Sequence, residues 1–187
     1  MERKAETKVP GREKHRSGYI KIRVAESLQE ITLALKMLRE GFTRNAAQRA
    51  FIAWKALISA LTAMNLDKLP RDEEERKWYH RVGYKAPKAG LRWLADRLED
   101  IGYQDYKLTH ITSTALALHR YAYHGLAEGE SDYISKEDVM SSIIRLARDM
   151  MPMTVKLFKN YWDEELEAYY ELAKKALTET KQLAPSS

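Results

Sequence analysis

The sequence predicts an all-α protein, an antiparallel bundle of five or six helices in a single domain. The chain is rich in Ala, Leu, Glu, Lys and Arg and holds only eight Gly and five Pro among its 187 residues, a composition that favours helices. Apolar residues recur at spacings of three and four along most of the chain, whereas no segment alternates with a period of two for long. A chain of this length buries roughly 70% of its unfolded surface, so it needs no disulfide or metal to be stable.

The first two predicted helices form a hairpin with a tight connection. Helix-spaced apolar residues place the first helix over about 18–40 and the second over about 44–64. Between them, Gly41 suits the left-handed residue that ends a helix, and Thr43 suits the residue that caps the next one. The first half of the second helix is rich in Ala, which permits close approach of the two backbones. The two helices should therefore be antiparallel neighbours.

The middle of the chain is less regular. Residues 65–86 break the apolar pattern and should contain one short helix. Pro87 is a favoured first helical residue, so the next helix is placed over about 87–101. A further helix is expected over about 106–124, because Gly125 stops its periodicity.

The last third of the chain begins with a capping signal. Ser135 is followed three residues later by Asp138, which resembles a capping box, so a helix should start there. Pro152 should kink or end this helix, because proline lacks the backbone N–H that the helix needs. Helical periodicity resumes at Val155, and a break near Asp163 is left open.

Positive charge is concentrated at the start of the chain. The net charge is +5, and residues 1–23 hold eight Lys and Arg against three acids, while the remainder is balanced. A basic arm of this kind can bind nucleic acid by displacing counterions from phosphates, or it can be a solvated terminus. We expect a basic flexible leader over 1–17, one bundle domain over 18–182 and a disordered tail over 183–187.

Several classes of protein are excluded by composition. Cysteine is absent, which excludes a disulfide framework, a catalytic thiol and every cysteine-ligated metal site. No apolar run reaches the ~18 residues of a membrane-spanning helix, and the N-terminus has no apolar stretch typical of a secretory signal. A cytoplasmic protein without membrane contact is expected, with no metal site and no cofactor. Many charges and only seven Asn and Gln are typical of a thermophile.

Residues 118–125, LHRYAYHG, form the first candidate site. Arg120 and His124 are four residues apart, so they share one helix face, and that face lies away from the apolar stripe. His119 lies closer to the edge of the core, with Tyr123. The forked donors of Arg can hold a phosphate, and His can act as acid or base. These are the two kinds of group that phosphodiester cleavage requires. The alternative is an exposed polar helix end whose His interacts favourably with the helix dipole.

The same helix end also suggests a dimer interface. Tyr121 and Tyr123 lie beside Arg120 and His124, and aromatic residues together with Arg are typical of interface hot spots. We therefore expect a two-fold homodimer that buries on the order of 800 Å² or more per subunit.

Residues 76–93 form the second candidate site. This stretch contains six Lys and Arg, several aromatic rings and no acid. Cations that follow a phosphate backbone and rings that stack on bases are what single-stranded nucleic acid requires. The candidate binding residues are Arg76, Lys77, Trp78, Tyr79, His80, Arg81, Tyr84, Lys85 and Lys88. The alternative is that the rings fill the end of the bundle while the charges are solvated.

Two segments resemble known families. The stretch LREGFTRNAAQRA and the following AFIAWKALISAL resemble the opening helical hairpin of the HEPN superfamily, whose name denotes a nucleotide-binding domain. The segment LHRYAYHG, after an Ala- and Leu-rich helix, resembles the archaeal PaREP family, which has a HEPN-like fold. The resemblance covers roughly residues 18–180. It implies an archaeal source, a HEPN-like bundle and a homodimer.

The resemblance also implies a function. Active HEPN ribonucleases carry an Arg, then a polar residue and, a few residues later, a His, and their site forms across a homodimer. Aligning His124 with the family His places His119 at the Arg position and Arg120 at the polar position. The implied function is nucleotide or RNA binding, with a degenerate, metal-independent endoribonuclease site made of these three residues. The alternative is a non-catalytic structural or protein-interaction bundle.

Overall fold

The computed structural model describes residues 13–181, and this part of the chain folds into seven α-helices joined by short turns, with no strand. The helices are α1 (Glu13–Arg39), α2 (Thr43–Met64), α3 (Glu73–Arg81), α4 (Leu91–Leu98), α5 (Leu108–His124), α6 (Lys136–Leu157) and α7 (Glu164–Lys181). The all-α prediction is confirmed. The predicted count of five or six helices is wrong, because the short α3 and the break between α6 and α7 together bring the count to seven.

The hairpin of α1 and α2 is antiparallel, as the sequence predicts. The Tyr19 hydroxyl lies 2.7 Å from Ser59 Oγ, and Arg49 donates to Glu30 at 3.1 Å, so the two helices run in opposite directions. Gly41 ends α1 with a φ of +82°, in the left-handed region. Thr43 does not cap α2, because it is already the first helical residue and no side chain caps the preceding position.

Helix α2 is the centre of the bundle and is buried on nearly all sides from Ala46 onward. Its many alanines keep the helix narrow, so other helices can pack closely around it. Helix α5 crosses α2 in the antiparallel direction, and the indole N–H of Trp54 donates to Thr112 Oγ1 at 2.9 Å. Trp54 and Thr112 are both buried. Their hydrogen bond compensates the cost of removing the indole N–H from water.

Helix α7 packs against α1 in the parallel direction. Lys21 pairs with Asp163 near the start of both helices, and Arg39 pairs with Glu179 near the end of both. The prediction of an antiparallel bundle therefore does not hold for this pair. Apolar periodicity shows which face of a helix is buried, but it does not show which neighbour covers that face.

The segment before α4 differs from the prediction. Pro87 does not begin an α-helix; it precedes a 3-10 turn over Lys88–Gly90, and α4 starts only at Leu91. The short α3 before it is capped by the Asp72 side chain, which accepts from the backbone N–H of Glu75 at 2.8 Å.

The start of α6 agrees with the sequence prediction, but its end does not. Ser135 and Asp138 form the predicted capping box. Pro152 lies inside α6, which continues to Leu157, so the helix does not end there. Pro152 is exposed, and water can reach the carbonyl that lacks its donor. The break near Asp163 that the sequence leaves open is present, and the Asp163 carboxylate accepts from the N–H of Leu166 at 3.1 Å at the start of α7.

The predicted boundaries of the domain change at its start. Helix α1 begins at Glu13, so residues 13–17 of the predicted leader are helical. The rest of that leader, residues 1–12, and the predicted disordered tail over 183–187 lie outside the described residues. Within 13–181, no helix is both long and apolar enough to cross a membrane.

Candidate functional site

The C-terminal end of α5 is held by an arginine from α2. The N–H of Gly125 donates to the Tyr121 carbonyl at 2.8 Å and closes the last turn. Arg44 donates to the carbonyls of Ala122 at 3.0 Å and Tyr123 at 2.5 Å. These carbonyls carry the partial negative charge of the helix end, so a guanidinium is a favourable partner.

Arg120 and His124 are both exposed, as their spacing predicts, but each faces an acid. Arg120 donates through two nitrogens to the carboxylate of Asp132, at 2.7 and 2.6 Å. This forked bond raises the pKa of Arg120 above its ordinary value and compensates its charge. His124 Nδ1 lies 3.9 Å from a Glu130 carboxylate oxygen. Both acids come from the loop between α5 and α6.

His119 lies on another side of α5 and faces α2. It is 7% exposed, and its Nδ1 lies 3.1 Å from Gln48 Oε1. Its ring centroid is 4.2 Å from that of Phe51 and 4.9 Å from that of Tyr123. Burial first, and then the charges of two lysines, lower the pKa of His119. One chain therefore does not bring His119 together with Arg120 and His124.

Tyr121 does not belong to a surface, which corrects its placement in a dimer interface. It is 2% exposed, and its hydroxyl lies 2.7 Å from Thr43 Oγ1 inside the bundle. Position 121 is three residues after the buried Leu118, so it falls on the core stripe of α5. Tyr123 is 64% exposed and remains available to a partner.

A groove runs between α2 and α5 beside His119. It has a volume of about 500 Å³. Its lining residues are Arg44, Asn45, Gln48, Arg49, Ile52, Ala122 and Tyr123. Two of them, Gln48 and Tyr123, contact the ring of His119. We call this feature the α2–α5 groove.

The aromatic residues of 76–93 divide into buried and exposed rings. Tyr79 and Tyr84 are at most 1% exposed and belong to the core, so neither can stack on a base, contrary to the prediction. Trp93 is 39% exposed and stacks on Tyr79, with ring centroids 5.7 Å apart. Half-buried Trp78 meets Trp93 edge to face at 5.3 Å. The rings that reach solvent are therefore the two tryptophans.

The cations of the same stretch are all exposed. Within the described residues, only Arg76 has an ion pair, with Glu73 at 3.4 Å. The five cations without one are Lys77, Arg81, Lys85, Lys88 and Arg92. His80 is half-buried. We call these five cations with Trp78 and Trp93 the 76–93 surface.

Part of the 76–93 surface forms a shallow groove of about 580 Å³. Lys77, Trp78, Arg81 and Trp93 line it together with Glu74 and Glu75. The Glu75 carboxylate accepts from the N–H of Arg71 at 2.8 Å, so it is turned toward the start of α3.

Several residues of both sites are not among the residues predicted from the sequence. Trp93 and Arg92 lie inside the singled-out stretch, and their side-chain types were signal enough to include them. Gln48 contacts His119 but is 71 residues away from it in the sequence. Asp132 binds Arg120 from the irregular loop between α5 and α6. No periodic pattern could have found these two.

Comparison with known proteins assigns a family to the chain. The family model described as the archaeal PaREP1/PaREP8 family matches residues 22–144. This range contains the α2–α5 groove, the 76–93 surface and the loop that holds Asp132. Neither curated proteins nor solved structures give a significant match.

Proposed function

The chain belongs to the archaeal PaREP1/PaREP8 family, and on this basis we propose that it is a HEPN-like bundle that binds single-stranded RNA on the 76–93 surface. The observation that carries the proposal is a set of five exposed cations, none with an ion pair among residues 13–181, around the exposed Trp93 and the half-buried Trp78. Each cation that reaches a phosphate releases counterions, so such a set supplies affinity for a nucleic-acid backbone.

The exposed indole of Trp93 favours a single strand over a duplex. Bases in a duplex are stacked on each other, whereas unpaired bases can stack on an aromatic side chain. Trp93 is supported from below by Tyr79, at a ring-centroid distance of 5.7 Å, so its exposed face is held in place. A ring that is already fixed loses little conformational entropy when a base stacks on it.

The surroundings of Arg120 favour binding without cleavage. An endoribonuclease needs the guanidinium to stabilise charge on the scissile phosphate, but two nitrogens of Arg120 are already occupied by Asp132. Cleavage would require this pair to separate. The metal-independent endoribonuclease of Arg120, His124 and His119 therefore remains the less supported version of the proposal. Its test is cleavage of RNA in EDTA by the wild type and by His124→Ala.

A homodimer is part of the proposal. Tyr123, Arg120 and His124 remain exposed on one end of α5 and can meet their symmetry mates. Light scattering at micromolar concentration should give twice the 21.7 kDa of one chain. A mass of one chain would contradict the dimer but would leave RNA binding on the 76–93 surface untouched.

The decisive experiment measures binding of a labelled oligouridylate and of an RNA duplex by fluorescence anisotropy. Trp93→Ala should weaken oligouridylate binding by roughly 5- to 150-fold, because base–aromatic stacking contributes about 1–3 kcal/mol. Duplex binding should change little. Trp162→Ala is the matched control, because Trp162 is a half-buried tryptophan at the other end of the chain.

Two results would contradict the proposal. One is equal loss for single strand and duplex in Trp93→Ala, which would mean that the indole stacks on no base. The other is no binding of either RNA at low salt by the wild type. That second result would favour the alternative, a bundle that uses the same exposed indoles to bind a protein partner.

A further inference from the structure

Glu74 differs from the two other glutamates at the start of α3. Glu73 pairs with Arg76 at 3.4 Å, and the Glu75 carboxylate accepts from the N–H of Arg71 at 2.8 Å. Glu74 is exposed, and its carboxylate has neither a hydrogen bond nor an ion pair with any residue that the structure describes. Within that part of the chain, Glu74 is therefore the glutamate of this turn whose two oxygens can both accept from a ligand.

Glu74 lines the same groove as two of the cations and both tryptophans of the 76–93 surface. The groove has a volume of about 580 Å³, and the α3 residues with free side chains that line it are Glu74, Lys77, Trp78 and Arg81. These positions are three and four residues apart, so their side chains follow one face of the helix. Trp93 adds its ring from α4 and meets Trp78 at 5.3 Å. A base that stacks on Trp93 in this groove therefore shares it with a free carboxylate.

A free carboxylate selects among unpaired bases by their hydrogen-bond donors. An ionised Glu only accepts hydrogen bonds, so it pairs with N–H groups and repels carbonyl oxygens and phosphates. The Watson–Crick edge of guanine carries two adjacent donors, N1–H and N2–H, which match the two oxygens of one carboxylate. Uracil has a single N–H between two carbonyls, and the amino groups of adenine and cytosine lie beside an acceptor nitrogen. Guanine is therefore the base that can bind through two parallel hydrogen bonds.

We propose that Glu74 determines the base specificity of the 76–93 surface by binding the Watson–Crick edge of an unpaired guanine that stacks on Trp93. The Glu74 carboxylate accepts from N1–H and N2–H of this guanine, while Lys77 and Arg81 contact the flanking phosphates. The inference rests on the proposed binding of single-stranded RNA and adds the preferred base to it. A duplex does not offer these two donors, because its guanines are already paired.

The same carboxylate weakens the binding of other sequences. Glu74 adds a negative charge to a groove whose cations attract phosphates, so RNA without guanine binds less tightly than it would in the absence of this acid. Specificity is a difference between two affinities, and Glu74 acts on both, because it pairs with one base and repels the others. Glu74→Gln should therefore raise the affinity for oligouridylate and lower the affinity for guanine.

Fluorescence anisotropy with two labelled oligonucleotides tests the proposal on the full chain. One is oligouridylate, and the other is the same oligomer with a single central guanosine. The wild type should bind the second at least about fivefold more tightly, because a two-fold hydrogen-bonded contact to a base edge discriminates by this factor or more. Inosine at the central position lacks the 2-amino group and should remove most of the preference. 7-Deazaguanosine keeps both donors and should retain it.

Glu74→Gln is the test variant, and it should bind the two oligonucleotides with nearly equal affinity. Glu73→Gln is the matched control, because it removes the same charge from the same turn of α3 but does not line the groove. Its loss frees Arg76 and strengthens the binding of both oligonucleotides alike. The ratio of the two affinities should therefore stay at the wild-type value in Glu73→Gln.

The outcomes separate this inference from the proposed function. Equal affinity of the wild type for the two oligonucleotides would overturn the role of Glu74 and leave RNA binding on the 76–93 surface intact. A guanosine preference that survives in Glu74→Gln would also overturn it, as would a preference that is lost with 7-deazaguanosine, because a cation would then bind the base through N7. Absence of binding to either oligonucleotide would overturn the proposed function together with this inference.

Discussion

The two basic regions of this chain differ in what lies opposite their cations. At the end of α5, Arg120 forms a forked bond with Asp132, and His124 has Glu130 within 3.9 Å. In the stretch 76–93, one cation of six, Arg76, has an ion pair among the described residues, and the five on the 76–93 surface have none. Both regions are exposed and both are rich in Lys, Arg or His, yet only the second presents uncompensated charge.

Distance along the sequence is therefore a poor guide to charge compensation. The acids at 72–75 directly precede the basic stretch, yet they pair with it only through Glu73 and Arg76. Asp132 is 12 residues from Arg120 and nevertheless binds it through two hydrogen bonds. A cation attracts a polyanion only where it is not already paired with a fixed carboxylate.

The largest expected effect comes from removing charge from the 76–93 surface. Replacing Lys85, Lys88 and Arg92 together by Gln should weaken oligouridylate binding on the order of 100-fold at ~0.1 M salt, because each lost phosphate contact removes about 0.7 from the salt slope. Anisotropy titrations at several salt concentrations measure both quantities. Arg120→Gln is the control. An equal loss of oligouridylate affinity in this variant would show that the two regions do not differ in RNA binding.

Gly83→Ala tests the aromatic part of the same surface without changing its charge. A Cβ at Gly83 would lie 2.4 Å from Trp78 Cζ3 and 2.9 Å from Tyr79 Cδ1, so the indole must move. We expect a loss of about 1–3 kcal/mol in the free energy of unfolding, as for other overpacked sites. Urea denaturation measures it, with Gly18→Ala, inside α1 and with open space around it, as the comparison. Unchanged stability would mean that Trp78 is not held where the structure places it.

Asp132→Ala should make the end of α5 resemble the 76–93 surface. Removing the carboxylate frees the guanidinium of Arg120, which then adds about one phosphate contact. RNA affinity should rise about fivefold at ~0.1 M salt, with a slope steeper by about 0.7. The double variant Asp132→Ala, Arg120→Gln should return to the wild-type value. A gain that survives in the double variant would come from elsewhere than Arg120.

The smallest expected effect is a pH dependence of stability at His119. Its pKa in the folded chain lies below the ordinary 6.5, so the unfolded chain binds more protons as the pH falls through that value. The contribution of His119 to the free energy of unfolding is therefore complete above about pH 6.5 and is lost progressively below it. Urea midpoints at about pH 7.5 and 5.5 should fall less in His119→Asn than in the wild type. His124→Asn is the comparison on the same helix, and an identical fall in the wild type and in His119→Asn would contradict the prediction.

Local rules predicted most of the fold. Helix ends with a chemical signal, such as the capping box at Ser135 and the glycine stop at Gly125, were found from the sequence because neighbouring residues determine them. The start of α4 was misplaced because Pro87 is equally compatible with a 3-10 turn. The parallel packing of α7 on α1 was missed because it depends on contacts between residues more than 100 positions apart.

The candidate sites were predicted less completely than the helices. The stretch 76–93 was recognised from its residue types, but burial removed Tyr79 and Tyr84 from the exposed set. Burial of a ring depends on which helices cover it, and that is a property of the whole bundle. The same reason explains why Tyr121 was placed on the surface and why Gln48 was not associated with His119.

The parallel pairing of α1 and α7 also determines where foreign segments can be attached. The described chain begins at one end of α1, while α7 finishes beside the other end, where Thr180 Oγ1 lies 3.5 Å from the Leu35 carbonyl. At 1.5 Å per residue, the two ends of the described chain are separated by roughly 35 Å. A circular permutant would therefore need about ten or more extended residues between Lys181 and Glu13. Fluorophores placed near the two ends would instead report the integrity of the whole bundle by energy transfer.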